Sequence, residues 1–370
     1  MTNEQVTHLL QELVRIPSVN PAGQPGTSHT GEAQIAQFIA EFLHKLGLDV
    51  ERHDVQPGRP NVLGRFQSQG QRLRITLAPH TDTVSVAGMV IEPFGGEVRD
   101  GRLYGRGACD TKGSIAAMLA ALARCVRRKE FRTGQLDVDF AALMGEETGS
   151  DGAHALCSRG YRSDFAIAGE PTNCRVVHAH KGSLWFRVIT RGRSCHGATP
   201  ELGDNAIAKM ATVVHWLQND YASALQQNPH PSLGPPTVNV GVIHGGQAPN
   251  IVPDRCEVEV DRRTVPGEQA DRILEEIRLR LNAELKMIRN CPALFTPPDH
   301  PLIKAIGAPV TTAPWFCDAA VFAEHGIPAV AFGPGSVAQA HTDAEFVEVD
   351  ELHRATDTLE QFLIRLATTA

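Results

Sequence analysis

The feature that most constrains the fold of this 370-residue chain is the order of its helical and strand patterns. Helices and strands alternate in one order at the start of the chain, follow a second order in the middle, and resume the first order at the end. Up to residue 175, amphipathic helical segments alternate with short apolar runs, an order that predicts a mostly parallel sheet covered by helices. Residues 176–291 follow a different order of strand, helix, two strands and helix, and the first style resumes at 292–370. The sequence therefore predicts an α/β domain with helices on both sheet faces, interrupted by an inserted α+β domain.

Composition excludes several kinds of partner and location. The formal net charge is -7, and the chain has no basic run that would follow a phosphate backbone, so no nucleic acid partner is expected. No run of about 18 apolar residues occurs, which argues against a membrane span. The first residues lack the basic start and apolar segment of a signal peptide. The eight cysteines form no C-x-x-C pair, which favours reduced thiols and a cytoplasmic location.

Side chains that bind metals follow the predicted strands of the α/β domain. Polar sites in such sheets form at the carboxyl ends of the strands, so these side chains are expected to converge. Histidine and carboxylate donors together indicate a metal site, and one bridging carboxylate would let them hold two zinc ions about 3.5–4 Å apart. The candidates are His80, Asp82, Asp110, Glu146, Glu147, Glu170 and His341.

The adjacent pair Glu146 and Glu147, in the stretch "MGEETG", needs an explanation because neighbouring like charges repel. On an extended segment, successive side chains point in opposite directions, so the two glutamates need not share a task. One is expected to bind a metal while the other accepts a proton from the attacking water. A nearby metal charge would also offset the repulsion within the pair.

Several separated motifs resemble the dinuclear zinc aminoacylase and carboxypeptidase family, which includes acetylornithine deacetylase, succinyl-diaminopimelate desuccinylase and carboxypeptidase G2. The matching stretches occur in the family's order along nearly the whole chain: "APHTDTV", "GRGACDTKGSIAAML", "GEETGSDGA", "AGEPT", "AHKG", "GRSCHGATPELGDNAI", "NIVPDRCEVEVDRR" and "FGPGSVAQAHTDAEFV". The resemblance implies a zinc exopeptidase-like catalytic domain with an inserted ferredoxin-like lid that often mediates dimerisation.

The resemblance also implies roles for the catalytic-domain residues. It implies two zinc ions per subunit, replaceable by Co²⁺, with the first bound by His80 and Glu170, the second by Glu147 and His341, and both by a bridging Asp110. Glu146 corresponds to the general base. Asp82 corresponds to a residue that orients His80 from outside the ligand set.

The inserted domain carries three further matches. His196, in "SCHGATP", corresponds to a lid histidine that reaches the scissile carbonyl, in its own subunit or in a partner. Arg263 corresponds to an arginine that holds a substrate carboxylate, although Arg262 beside it is an alternative. Asn250 corresponds to a substrate-contacting asparagine. A loop histidine and an exposed strand arginine would, on their own, be read as ordinary surface residues.

The resemblance thus implies a zinc-dependent amidohydrolase that removes an acyl group, most simply acetyl, from an amino acid such as N-acetylornithine. A desuccinylase and a carboxypeptidase-like peptidase of the same family remain open, as does an inactive, metal-poor binding protein. The residues leave three other interpretations to weigh: a thiol nucleophile at Cys109, a zinc pair at His178 and His180, and a phosphate loop in "GRGACDTKGS". That loop lacks the G-K-[ST] core, because Thr111 precedes Lys112.

Overall fold

The computed structural model describes residues 1–22, 29–70, 73–281 and 283–368. The chain forms two compact units. The first comprises Met1–His178, Phe295–Thr312 and Cys317–Ala370, and the second comprises Ala179–Leu294 and Ala313–Phe316. Each boundary of the long inserted segment lies three residues later than the 176–291 expected from the sequence, and the second unit also takes in a short return segment.

Up to the inserted segment, the chain builds most of the first unit. Its elements are α1 (Asn3–Val14), α2 (Ala33–Lys45), β1 (Asp49–Gln56), β2 (Arg59–Phe66), β3 (Leu73–Pro79), β4 (Val98–Arg99), β5 (Arg102–Tyr104), α3 (Lys112–Cys125), α4 (Lys129–Thr133), β6 (Leu136–Ala142), α5 (Glu146–Gly149), α6 (Asp151–Ser158), β7 (Phe165–Gly169) and β8 (Val176–His180).

The inserted segment and the return complete the element order. The inserted elements are β9 (Gly182–Arg191), α7 (Ala206–Trp216), α8 (Ala222–Leu225), β10 (Thr237–Gly245), β11 (Arg255–Thr264), α9 (Ala270–Leu281) and β12 (Glu284–Cys291). The elements that follow are β13 (Leu294–Phe295), α10 (Pro301–Ile306), β14 (Val310–Ala313), α11 (Ala319–Glu324), β15 (Ala329–Ala331), β16 (Phe346–Glu348) and α12 (Val349–Thr368).

The large sheet has the strand order β1-β2-β6-β3-β7-β15-β8-β13, with β14 beside β8. Its centre is parallel, because β3 pairs in parallel with both β6 and β7, and β15 pairs in parallel with β7. Strands β1, β2 and β8 add antiparallel pairings toward the edges. The predicted mostly parallel α/β sheet is confirmed, and its order brings the carboxyl ends of β3, β6 and β7 to one edge.

Helix patterns explain the packing of the first unit. Helix α1 begins with a capping box formed by Thr2 and Gln5, and its apolar stripe of Val6, Leu9, Leu10, Leu13 and Val14 is buried. Helix α3 is buried on nearly all sides, because α1 and α12 cover the face that the sheet does not. Burying each such aliphatic side chain contributes roughly 1.5–3 kcal/mol, so the core holds the neighbouring loops firmly. Helices α6 and α11 pack on the other sheet face.

The second unit is an antiparallel four-stranded sheet in the order β10-β11-β9-β12, with α7 and α9 packed on one face. The sequence patterns missed β12, whose mixed and largely exposed side chains hide its alternation. They also assigned residues 176–193 to one strand. In the structure that stretch is divided at Lys181, because β8 joins the large sheet while β9 lies in the smaller one.

Candidate metal centre

His80 and Asp82 lie immediately beyond the carboxyl end of β3. The pairing of β3 with β6 continues past both strands, since the Thr81 amide donates to the Leu143 carbonyl at 2.8 Å. This fixes His80 at the edge where β6 also ends. His80 Nδ1 donates to the backbone carbonyl of Asp82 at 3.0 Å, which directs Nε2 toward Asp110.

Asp110 lies between two histidines. Its Oδ1 is 3.0 Å from His80 Nε2, and its Oδ2 is 3.3 Å from His341 Nε2. Hydrogen bonds to these two histidines outweigh the opposing effect of burial, so the pKa of Asp110 is lowered. A carboxylate with one oxygen directed at each of two imidazoles has the arrangement needed to bridge two ions.

Glu147 completes the side of the site that contains His341. Both of its carboxylate oxygens lie 3.2 Å from His341 Nε2. Ligand atoms of His80, Asp110 and Glu147 all lie within 4.8 Å of one another. Hydrogen bonds to Asp110 and Glu147 raise the pKa of His341 to about 10. His341 thus contacts Asp110, just before α3, and Glu147, in the helical turn α5.

Glu146 and Glu147 were expected to lie on an extended segment, and the structure shows a helical turn instead. Gly145, at φ 74°, turns the chain, and Glu146–Gly149 forms the helical turn α5. Consecutive side chains on a helix diverge by about 100°, so the two carboxylates still separate, but for a different reason. Asp82 holds this turn by accepting the Glu146 amide on Oδ1 at 3.0 Å and the Glu147 amide on Oδ2 at 3.1 Å.

Glu146 and Glu170 add buried negative charge to the cluster. Burial raises the pKa of Glu146 well above its ordinary value, and the charges of Asp318, Glu147 and Asp110 act in the same direction. Burial and the charge of Glu146 likewise raise the pKa of Glu170. Although burial opposes it, the pKa of His80 is raised by the hydrogen bonds that His80 donates to Asp110 and Asp82, and the charge of Glu170 acts in the same direction.

The donor set fits divalent cations. The cluster contains six carboxylates and two imidazoles, namely Asp82, Asp110, Glu146, Glu147, Glu170, Asp318, His80 and His341. With every carboxylate ionised and both imidazoles protonated, the charge is -6 plus 2, which leaves -4. Buried charge of one sign is costly unless a partner or a metal compensates it. Two divalent cations would supply that compensation, and mixed imidazole and carboxylate ligands suit zinc.

The three competing interpretations of the sequence find no support here. Cys109 is fully buried, and burial raises the pKa of its thiol well above the ordinary value, opposite to an activated nucleophile. His178 and His180 donate from Nδ1 to the carbonyls of Thr296 and Lys181. The Lys112 ammonium is directed to the Ile16 carbonyl at 2.7 Å rather than toward a phosphate loop.

Within the second unit, His196 and Asn250 lie on paired loops. The Gly197 amide donates to the Asn250 carbonyl at 2.8 Å, and His196 forms an isolated bridge with Ile251. A Cβ atom at Gly197 would lie only 3.0–3.1 Å from the Asn250 backbone, which is tighter than usual, so glycine suits this close approach. His196 is exposed, and its Nδ1 accepts the Ala198 amide, which leaves the ring proton on Nε2.

Arg262 and Arg263 point to opposite faces of β11. Arg262 is 1% exposed, faces the helices and pairs with Glu268 at 2.5 Å. Arg263 lies on the open face of the sheet, where Asp261 holds its guanidinium through contacts of 3.0 and 3.1 Å. Of these two arginines, Arg263 is the one accessible to a ligand, although its guanidinium already has one carboxylate partner.

The sequence reasoning missed two buried carboxylates, Asp318 and Glu345, that lie close to the candidate metal donors. Neither oxygen of Asp318 accepts a hydrogen bond of ordinary geometry from a described residue, and burial raises the pKa of its carboxyl to about 6. In sequence it resembles an ordinary helix cap before α11. Glu345 is completely buried in the acidic stretch "DAEFVEVD", which suggests a solvated surface. In the sequence, the only sign that Glu345 belongs near the candidate site is that it follows His341 by four residues.

In the parts of the chain that the structure describes, the helices are all too short or too polar to cross a membrane.

Two family descriptions match successive parts of the chain. "Peptidase family M28" matches residues 61–172, and "Peptidase dimerisation domain" matches residues 178–288. Among solved structures, aminopeptidase PepT from Bacillus cereus has a TM-score of 0.78 at 22% identity over all of both chains. A dinuclear metal-binding peptidase of the M20 family from Bacillus subtilis has a TM-score of 0.74 at 17% identity, covering 100% of this chain and 99% of that one. These likenesses establish the fold.

Curated relatives extend the match over most of the chain. The acetylornithine deacetylase of Myxococcus xanthus is 34% identical over 355 residues, covering 90% of this chain and 92% of the relative. The acetylornithine deacetylase of Proteus mirabilis is 31% identical over 378 residues, covering 96% and 95%. With the fold and the histidine–carboxylate cluster, this similarity shows that the chain belongs to the M20 family of metal-dependent amide hydrolases, to which the acetylornithine deacetylases are related.

Proposed function

We propose that this protein is a zinc-dependent deacylase that removes the acetyl group from the α-nitrogen of an amino acid such as N-acetylornithine. The observation that carries the proposal is the position of Asp110, with one oxygen on His80 and the other on His341, beside the buried Glu146. This arrangement supports two bound ions and a nearby carboxylate that binds neither.

The donors divide around Asp110. His80 and Glu170 would hold one ion and Glu147 and His341 the other, with Asp110 shared. When bound, the ions would polarise the amide carbonyl and lower the pKa of the attacking water. Protein side chains would carry out the proton transfer, stabilise the carbonyl oxygen and bind the substrate carboxylate.

Glu146 is the proposed proton carrier. Its raised pKa favours holding a proton, so it can accept one from the attacking water and deliver it to the leaving nitrogen. His196 is the proposed donor to the carbonyl oxygen as negative charge develops there, and its exposed Nε2–H is suited to that role. Arg263 is the proposed anchor for the substrate carboxylate, with Asn250 as a further contact. The support for these two residues is their accessibility within the second unit.

The acetyl group is favoured because the curated relatives carry the name acetylornithine deacetylase at 28–34% identity. The two solved structures described above are named as an aminopeptidase and a peptidase, so a dipeptide must be tested as an alternative substrate. A hydrolysis screen should therefore compare N-acetylornithine, N-succinyl-diaminopimelate and dipeptides on protein loaded with Zn²⁺ or Co²⁺. We expect the highest kcat/KM for the N-acetyl substrate. Preference for the succinyl compound or a dipeptide would reassign the substrate, and failure to bind either metal would indicate an inactive binding protein.

We further propose a cytoplasmic homodimer formed through the second unit. The match to a dimerisation domain over residues 178–288 supports the dimer. Strand β10 is an edge strand with mostly exposed side chains, which leaves its backbone available for pairing with a second copy. The eight cysteines form no C-x-x-C pair, as suits reduced thiols in a reducing compartment. Sedimentation of the purified protein tests the dimer.

A further inference from the structure

Glu345 is a completely buried carboxylate that connects two of the loops that bear metal donors. One loop, residues 105–111, bears Asp110 and leads into α3. The other, residues 341–345, begins with His341. These loops adjoin the paired strands β5 and β16, in which Tyr104 lies opposite Phe346, but neither Asp110 nor His341 belongs to a strand, so strand pairing alone does not fix the separation of these two donors.

The carboxylate of Glu345 is fully occupied by the first of these loops. Oε1 accepts the backbone amides of Cys109 and Asp110, both at 2.9 Å. Oε2 accepts the Gly107 amide at 3.1 Å and Arg106 Nη1 at 2.6 Å. A carboxylate offers about four acceptor positions, so Glu345 has none left for a metal. Its bonds go to the backbone that places Asp110.

Arg106 extends the same connection to the second loop. Its Nη2 donates to the Thr342 carbonyl at 3.2 Å, next to His341, and its Nε donates to the Ser85 carbonyl at 3.1 Å. His341 itself has φ 62°, a conformation that a non-glycine residue keeps only when its surroundings hold it. The pair formed by Glu345 and Arg106 therefore fixes the backbone on both sides of the contact between Asp110 and His341.

Stability alone is a poor reason for such a pair. Removing two charges from water costs several kcal/mol per ion, and apolar residues of similar volume are often equal or better. The three bonds from the amides of Gly107, Cys109 and Asp110 instead restrict geometry, because each constrains the position of one backbone unit. Groups that orient metal ligands from outside typically change metal affinity by about 10–100-fold when removed.

We propose that Glu345 is a positioning residue that sets the separation of Asp110 and His341, and through it the affinity for the ion that these two residues share. The inference rests on the metal-dependent function proposed above. Glu345 contacts neither ion nor substrate. Its effect passes through the amides of Cys109 and Asp110 and through Arg106.

The test compares Glu345→Gln with a matched control, Asp137→Asn. Asp137 is also a buried carboxylate, and it accepts the Ser68 amide at 2.8 Å and Arg74 Nη2 at 3.4 Å. It lies near the start of β6, however, about 15–20 Å of strand away from the turn that bears Glu146. Both variants should lose thermal stability, but only Glu345→Gln should disturb the metal centre.

Metal binding is measured by titrating chelator-treated protein with Co²⁺ and following its visible absorption. We expect Glu345→Gln to bind one Co²⁺ equivalent about 10–100-fold more weakly than wild type, and Asp137→Asn to match wild type. Equal Co²⁺ affinity in all three proteins, or equal weakening in both variants, would overturn the positioning role. If Glu345→Gln does not fold, Glu345→Asp replaces it, since the shorter side chain keeps the charge but cannot reach all four donors.

Hydrogen exchange of the metal-free proteins separates this inference from the proposed function. The amides of Gly107, Cys109 and Asp110 should exchange faster in Glu345→Gln than in Asp137→Asn. Unchanged exchange would refute the contact between Glu345 and the loop. Absence of Co²⁺ binding by wild type would instead refute the proposed function, and with it the role of Glu345 in metal affinity, while the exchange data would still decide whether Glu345 holds the loop.

Discussion

Replacing each member of the Glu146–Glu147 pair in turn gives the sharpest test of the site. Glu147 lies 3.2 Å from His341 and within the cluster of ligand atoms around Asp110. Glu146 belongs to the same turn but lies outside that three-residue cluster, and burial raises its pKa well above the ordinary value. Glu147 is therefore the proposed metal ligand, and Glu146 is the proposed proton carrier.

The expected magnitudes follow from these positions. Glu146→Gln keeps the shape of the side chain but removes its ability to accept a proton. General-base catalysis contributes about 10²–10⁴-fold, so the activation barrier should rise by about 2.7–5.4 kcal/mol. Glu147→Gln removes a charged donor, so one metal equivalent should bind more weakly by more than the roughly 100-fold upper range for an outer partner.

The assay measures kcat and metal content on the same preparations. Glu146→Gln should retain the metal content of wild type while kcat falls, and Glu147→Gln should lose metal, with partial recovery of activity when excess Zn²⁺ is supplied. The opposite pattern, in which Glu146→Gln loses metal and Glu147→Gln keeps it, would refute the assignment of the two glutamates.

Four further outcomes are expected. Asp110→Ala should bring metal content toward zero, because one carboxylate faces both histidines; two tightly bound ions in that variant would place the bridge elsewhere. Arg263→Ala should raise KM more than it lowers kcat, and an amidated substrate cleaved as well as the free acid would remove the reason for this. Mixed dimers of His196→Ala and Glu146→Gln subunits should recover activity if His196 acts on the partner's substrate, and mixed dimers without activity would exclude this. The pKa of His180 is lowered by burial from 6.5 to about 4, so its stabilising contribution is complete above pH 6.5 and is lost as the pH falls toward 4. Between pH 7 and 4.5, the free energy of unfolding in urea should therefore fall by roughly 2–3 kcal/mol less in His180→Gln than in wild type. An equal fall in both proteins would show that His180 does not cause the pH dependence.

Strand ends made much of the site predictable. His80, Glu146 and Glu170 each follow a strand of the parallel centre, and the edge they share is fixed by strand order rather than by long-range detail. The local backbone conformation around Glu146 was harder to predict from the sequence. Whether residues 146–149 continue β6 or turn depends on the positive φ of Gly145 and on the Asp82 carboxylate, which lies 64 residues away in sequence. Periodicity over a few residues contains no information about such a partner.

The sequence failed to indicate the buried carboxylates Asp318 and Glu345 for a different reason. Asp318 precedes an Ala-rich helix, where aspartate usually caps the first turn, yet its side chain makes no capping bond. Glu345 lies among Asp343, Glu348 and Asp350, a pattern typical of solvent exposure. Burial of such a residue depends on partners that come together only in the folded chain. In the case of Glu345 these are Arg106 and three amides.

Asp82 and Glu345 have similar proposed roles, in which a buried carboxylate organises the candidate metal centre without binding the metal. Asp82 accepts the amides of Glu146 and Glu147, with His80 Nδ1 3.4 Å from its Oδ1. Glu345 accepts the amide of Asp110 and holds Arg106. Each buried carboxylate thus fixes the backbone beneath donor side chains through charge-assisted bonds, which are about twice as strong as neutral ones. Loops that lack sheet pairing need such supports, because donor positions must be held within about 0.5 Å for tight binding. Loss of either carboxylate should therefore weaken metal binding even though every ligand remains in place.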